Sequence, residues 1–89
     1  MIARDITITN RKGLHARAAA KLVHLSNRFE SKILLHKDGI IVDGKSILGL
    51  LTLSANQGTT LKLTVDGSDE TEASREIVDL FTARFGEEA

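Results

Sequence analysis

Residues 13–29, Gly13-Leu14-His15-Ala16-Arg17-Ala18-Ala19-Ala20-Lys21-Leu22-Val23-His24-Leu25-Ser26-Asn27-Arg28-Phe29, decide how the rest of the chain is read. Ala16, Ala19, Ala20, Leu22, Val23 and Phe29 recur at helical spacing on one broad face, and Arg17, Lys21, His24 and Arg28 fall on the other. That pattern predicts a helix from Ala16 to about Phe29. Upstream the period is two: Ile2, Arg4, Ile6 and Ile8 alternate with Ala3, Asp5, Thr7 and Thr9, as in a half-buried strand that ends at Asn10-Arg11-Lys12-Gly13. The chain therefore starts as a strand, turns at Gly13 and enters a helix.

Working outward, Ile33 to His36 and Ile40 to Val42 are short apolar runs around Lys37-Asp38-Gly39, and Asp-Gly suits the positive φ of a tight hairpin turn. Ser46 precedes Ile47-Leu48-Gly49-Leu50-Leu51-Thr52-Leu53; periodicity alone fits a strand or a helix, and a serine at an N-cap position favours a short helix. Leu61, Leu63 and Val65 alternate with Thr60, Lys62, Thr64 and Asp66 in a fourth strand that closes at Gly67. Asp69 and Glu72 have capping-box spacing, Ala73, Ile77, Phe81 and Phe85 form an apolar stripe, and Gly86 is placed to end the last helix. The order is βαββαβα, an α+β fold in which a four-stranded antiparallel sheet is covered on one face by three helices.

Composition narrows the function. At 89 residues and 42% hydrophobic content, residues 1–89 read as one domain, with too little interior for a deep substrate cleft, so any chemistry belongs near the surface. The absence of cysteine excludes a disulfide scaffold, a thiolate zinc site and an iron–sulfur cluster. Twelve basic residues balance twelve acidic ones, and there is no Trp or Tyr and only three Phe, so neither a phosphate-neutralising surface nor base-stacking platforms are evident and nucleic acid is not the expected partner. No run is apolar enough to span a bilayer, and residues 1–5 lack a signal peptide's order; the expectation is a cytoplasmic chain without membrane insertion.

Histidine is the side chain that changes charge near neutral pH, and the three present differ in setting. His36 lies in a strand beside a turn and is assigned no role. His24 lies on the polar face of the first helix. The three occupy different elements without cysteine support, so no metal site and no cofactor are expected. His15 falls where the Gly13 turn meets the first helix, roughly at the N-cap. Free backbone N–H groups and a partial positive charge converge there, so a phosphoryl group on its ring would meet amides of the following turn. Arg17 adds a forked donor suited to phosphate oxygens. An imidazole with one unprotonated nitrogen can form a covalent intermediate. On residues alone, a histidine that merely caps a helix explains the position equally well.

Gly13-Leu14-His15-Ala16-Arg17, with Ala19-Ala20-Lys21-Leu22, closely resembles the active-site signature of the HPr family, the histidine-containing phosphocarriers of the bacterial phosphoenolpyruvate-dependent phosphotransferase system. Asp43-Gly44-Lys45-Ser46-Ile47-Leu48-Gly49-Leu50-Leu51 resembles the family's second signature, and the likeness runs over essentially the whole chain. The resemblance implies an open-faced β-sandwich and a carrier, rather than a stand-alone catalyst, that accepts a phosphoryl group on His15 from enzyme I and passes it to enzyme IIA proteins. It implies a regulatory phosphorylation of Ser46 by an HPr kinase/phosphorylase, and a monomer. One departure is plain: the family's proline after the arginine is Ala18 here, which leaves one more backbone donor at the helix start.

The basic stripe Arg17, Lys21, His24 and Arg28 starts at His15, and five apolar residues in the short second helix cannot all face one core. The resemblance places that helix beside the histidine. Ala16, Ala20, Lys21, His24, Ile47, Leu48 and Leu51 are therefore the expected partner interface, an apolar centre with a basic rim suited to fast exchange. The competing reading is a small βαβ-type regulatory or RNA-binding module without phosphotransfer, which the missing aromatics oppose.

Overall fold

The computed structural model describes residues 1–87. Strand β1 (Ile2–Thr7) is followed by helix α1 (Ala16–Ser26), strands β2 (Lys32–Lys37) and β3 (Ile40–Asp43), helix α2 (Ile47–Thr52), strand β4 (Thr60–Asp66), helix α3 (Glu70–Thr82) and a 3₁₀ turn at Arg84–Gly86. The sheet is antiparallel throughout, in the order β1-β4-β2-β3. The expected α+β architecture is present.

Alternation along each strand makes the sheet two-faced. Ile6, Ile33, Leu35, Val42, Leu61, Leu63 and Val65 are buried under the helices. On the opposite face Asp5, Lys62, His36 and Ile41 lie side by side across the four strands. The hairpin turn uses positive φ at Asp38 (51°) and Gly39 (81°), as an Asp-Gly pair allows.

Helix α1 presses Ala18, Ala19, Leu22 and Ser26 into the core, while Ala16 and Ala20 are exposed. The buried stripe is thus rotated from the one expected, because Ala16 and Ala20 face outward while Ala18 faces inward. The helix is also shorter than predicted. After Asn27, tighter bonds from Arg28 N to Leu25 O (3.0 Å) and Phe29 N to Ser26 O (3.1 Å) close it, and Phe29 is buried beyond its end. Leu22 has no exposed surface, and truncating it to Ala would cost ~2–5 kcal/mol.

The start of α3 differs from the predicted capping box. Asp69 is the N-cap, but its carboxylate makes no cap bond. It accepts from the backbone N–H groups of Glu30 (2.9 Å) and Ser31 (3.0 Å) and from the Ser31 hydroxyl, stapling the segment after α1 to the helix start. The Glu70 carboxylate instead accepts from Gly67 N–H (3.2 Å). At the other end, α3 stops at Thr82, and Phe85, expected to continue the stripe, is carried into the core by the following turn. Its ring meets Phe81 edge to face, 4.8 Å between centroids.

Candidate functional site

The site grows from the turn between β1 and α1. Asn10 is fully buried; its carbonyl accepts from Gly13 N–H (3.2 Å) and its side-chain amide donates to Gly13 O (2.8 Å), closing the turn from both sides. Leu14 N–H then donates to Ala55 O (2.8 Å), tying the turn to the segment after α2. Gly13 sits at φ +67°, and a Cβ there would lie 2.5 Å from Ala55 O and 2.9 Å from the Asn56 Cα. Only glycine fits that approach.

His15 follows as the N-cap of α1, with extended backbone (φ −80°, ψ 178°), its carbonyl accepting from Ala19 N–H at 2.8 Å and its ring making no cap bond. The amides of Ala16, Arg17 and Ala18 have no acceptor among the described residues. Ala18 therefore supplies the extra donor that the sequence suggested. Its methyl group is buried against the core. The His15 side chain is 25% exposed, and its Nε2 is in contact with a carboxylate oxygen of Glu87.

Glu87 is not among the residues that the sequence singles out. Its other carboxylate oxygen accepts from the Asn10 side-chain amide at 2.9 Å. That amide first, and His15 second, hold the Glu87 carboxyl below the ordinary range, against the opposing effect of lost hydration.

Arg17 is exposed, and its guanidinium makes no hydrogen bond or ion pair with the described residues. His24 and Arg28 continue the stripe on the exposed face of α1. Lys21 is a correction to the picture of a free basic stripe: its ammonium donates to Phe85 O at 2.5 Å, closing off a carbonyl of the C-terminal turn. Arg17, Lys21, His24 and Arg28 rim an open groove of about 540 Å³ floored partly by Leu25 and Leu80.

Ser46 is the N-cap of α2, and its hydroxyl accepts from Gly49 N–H at 3.1 Å. Within α2 only Leu50 is buried, while Ile47, Leu48 and Leu51 are 41%, 78% and 38% exposed. The short helix thus carries more apolar residues than the core takes in, as the sequence predicts. Helix α2 packs on α1, so exposed Ile47, Leu48 and Leu51 stand on the element next to the one that carries Ala16 and Ala20.

The sequence matches the family described as "PTS HPr component phosphorylation site" over residues 2–83. It is 47% identical over 87 residues to the phosphocarrier protein HPr of Cupriavidus necator, covering 98% of each chain. Its fold is similar to the crystal structure of HPr-C-His from Thermoanaerobacter tengcongensis, with a TM-score of 0.96, 44% identity and 100% coverage of both chains. It is also similar to the structure titled as an HPr dimer from the same organism, with a TM-score of 0.79 and 45% identity over 92% of this chain and 94% of that one. No helix among the described residues is long and apolar enough to cross a membrane.

Proposed function

The chain belongs to the HPr family, the phosphocarriers of the phosphotransferase system, and we propose that His15 is the residue on which it carries the phosphoryl group. The observation that supports this most is the unspent first turn of α1. Three consecutive amides without acceptors among the described residues stand immediately after the imidazole, at the positive end of a helix dipole. With Nε2 engaged by Glu87, Nδ1 is the ring nitrogen left to react.

Its lone pair attacks the phosphorus of the donor, the bond from phosphorus to the donor breaks, and that electron pair leaves with the donor. The phosphoryl oxygens are then met by the α1 amides and by the exposed guanidinium of Arg17, so the protein's contribution is positioning and charge stabilisation. Onward transfer reverses these bond changes at the next acceptor.

Family membership implies interaction with enzymes of the phosphotransferase system. The finer reading is that enzyme I donates and enzyme IIA proteins accept, both across Ala16, Ala20, Lys21, His24, Ile47, Leu48 and Leu51. A phosphoryl group handed between successive partners needs this surface uncovered, which favours a cytoplasmic monomer with residues 1–89 acting as one domain. Ser46 is the expected target of an HPr kinase/phosphorylase. Incubation with phosphoenolpyruvate and enzyme I, followed by intact mass measurement and acid treatment, tests the core of this reading. The expected result is one acid-labile phosphoryl group on the parent, His24→Ala and His36→Ala, and none on His15→Ala; label on folded His15→Ala would overturn it.

A further inference from the structure

We propose that Glu87 is a positioning residue for phosphoryl transfer, holding the Nε2 proton of His15 through the whole carrier cycle; this rests on the reading of His15 as the carrier. Three observations place it there. Its carboxylate spans two groups of the site, one oxygen on Nε2 of His15 and the other on the amide of Asn10, which is itself wholly buried and fixes Gly13. The backbone that delivers it is unusual: Arg84 and Phe85 both lie at φ +56° and Gly86 at +80°. Non-glycine residues stay in that region only where their surroundings over-determine it. Here the buried Phe85 ring and the Lys21 bond to Phe85 O do so, and the turn aims the next residue at His15.

The chemistry follows from the donor and acceptor inventory. An ionised carboxylate only accepts, so it selects the imidazole tautomer with hydrogen on Nε2 and the lone pair on Nδ1. When Nδ1 forms its bond to phosphorus, the ring becomes cationic with the proton still on Nε2, and the adjacent carboxylate stabilises that charge. When the phosphorus–nitrogen bond breaks in onward transfer, the electron pair returns to Nδ1 and the neutral tautomer is restored. No proton has to move in either direction. The arrangement is the carboxylate–histidine orientation that other sites use to fix a ring and its tautomer.

The test uses the full-length chain with Glu87→Gln and Glu87→Ala. Before any donor is added, ¹⁵N-labelled parent should show a slowly exchanging, downfield Nε2 proton on His15, weakened in Glu87→Gln and lost in Glu87→Ala. Initial rates of phosphoryl acceptance should fall by about tenfold in Glu87→Ala and less in Glu87→Gln, the range expected when a group orienting a functional histidine is lost. Melting temperatures should stay close to the parent's. Rates and the Nε2 signal unchanged in both variants would overturn the proposal. A faster Glu87→Ala would overturn it too, showing a carboxylate that competes with the phosphoryl group. Because the proton signal is read without a donor, its outcome is separate from the fate of His15 as carrier, which the His15→Ala labelling decides.

Discussion

Helices α1 and α2 both begin on a polar N-cap in extended backbone, yet only one is capped. The Ser46 hydroxyl accepts from Gly49 N–H, whereas the His15 ring accepts from no amide in the first turn of α1. Burial explains how the chain tolerates the difference. Helix α1 runs eleven residues with four of them buried, while α2 runs six residues with only Leu50 buried. Most helical stability comes from packing an apolar face, so the long helix holds with an open N-terminus and the short one depends on its cap. Donors left open can meet a phosphoryl group, and donors closed by a side chain cannot.

The contrast can be broken from either side. The largest effect is expected on the open side: Arg17→Ala removes the proposed charge-assisted contact to the phosphoryl group, a kind of bond worth ~1.5–3 kcal/mol, so acceptance from enzyme I should slow by about tenfold or more while the melting curve stays put. A transfer rate equal to the parent's would show that the amides of α1 suffice. On the capped side, Ser46→Asp places a negative charge at a helix start, where it is tolerated, but beside exposed Ile47, Leu48 and Leu51. The variant should fold and accept phosphoryl groups about tenfold more slowly, as a loss of ~1.4 kcal/mol in association would produce. Ser46→Ala should keep the parent's rate and lose ~0.5–2 kcal/mol of stability. Thermal melts beside initial labelling rates separate the two, and an Asp variant as fast as the parent would confine Ser46 to capping.

The smallest effect concerns the third helix start. Asp69 stands at the N-cap of α3 but spends its carboxylate on Ser31 and Glu30. The Ser31 hydroxyl first, then the Glu30 amide, hold its carboxyl below the ordinary value of 3.8. A carboxyl depressed in the folded state adds stability that is complete above that value and is lost as pH falls through the lower folded one. The parent should therefore lose part of its stability on acidification below about pH 4, and Asp69→Asn, already lacking it, should show a flatter dependence. Parallel acid melting profiles for the two proteins would refute this role.

What was legible in the sequence is what short stretches determine. The period of two through Ile2, Arg4 and Ile6, the Asp38-Gly39 turn, and the N-cap positions of His15 and Ser46 depend on neighbours within a few residues. The readings that failed involve partners distant in the chain. Asp69 and Glu72 have capping-box spacing, but Ser31, brought close by the fold, takes the carboxylate first. Glu87 reaches His15 only because a left-handed turn at Arg84 and Phe85 folds the chain back over α1, and no periodicity announces such a turn. Lys21 reads as one charge of the basic stripe, and only the path of the turn after α3 gives it Phe85 O.

The strand order has a consequence for biosynthesis. Strand β4 lies between β1 and β2, so Ile2 pairs with Val65 and Thr7 with Thr60. While the ribosome is still translating the first half, β1 has no strand beside it, and the β2–β3 hairpin is the piece of sheet that can assemble from sequence neighbours. Closing so large a loop precedes any reward from the contacts it permits, which slows folding and makes it cooperative. The nascent chain thus gains its sheet late and nearly all at once, when residues 60–66 leave the exit tunnel. Until then the apolar face that α1 and α3 cover in the folded protein is incomplete, and its residues stay open to solvent.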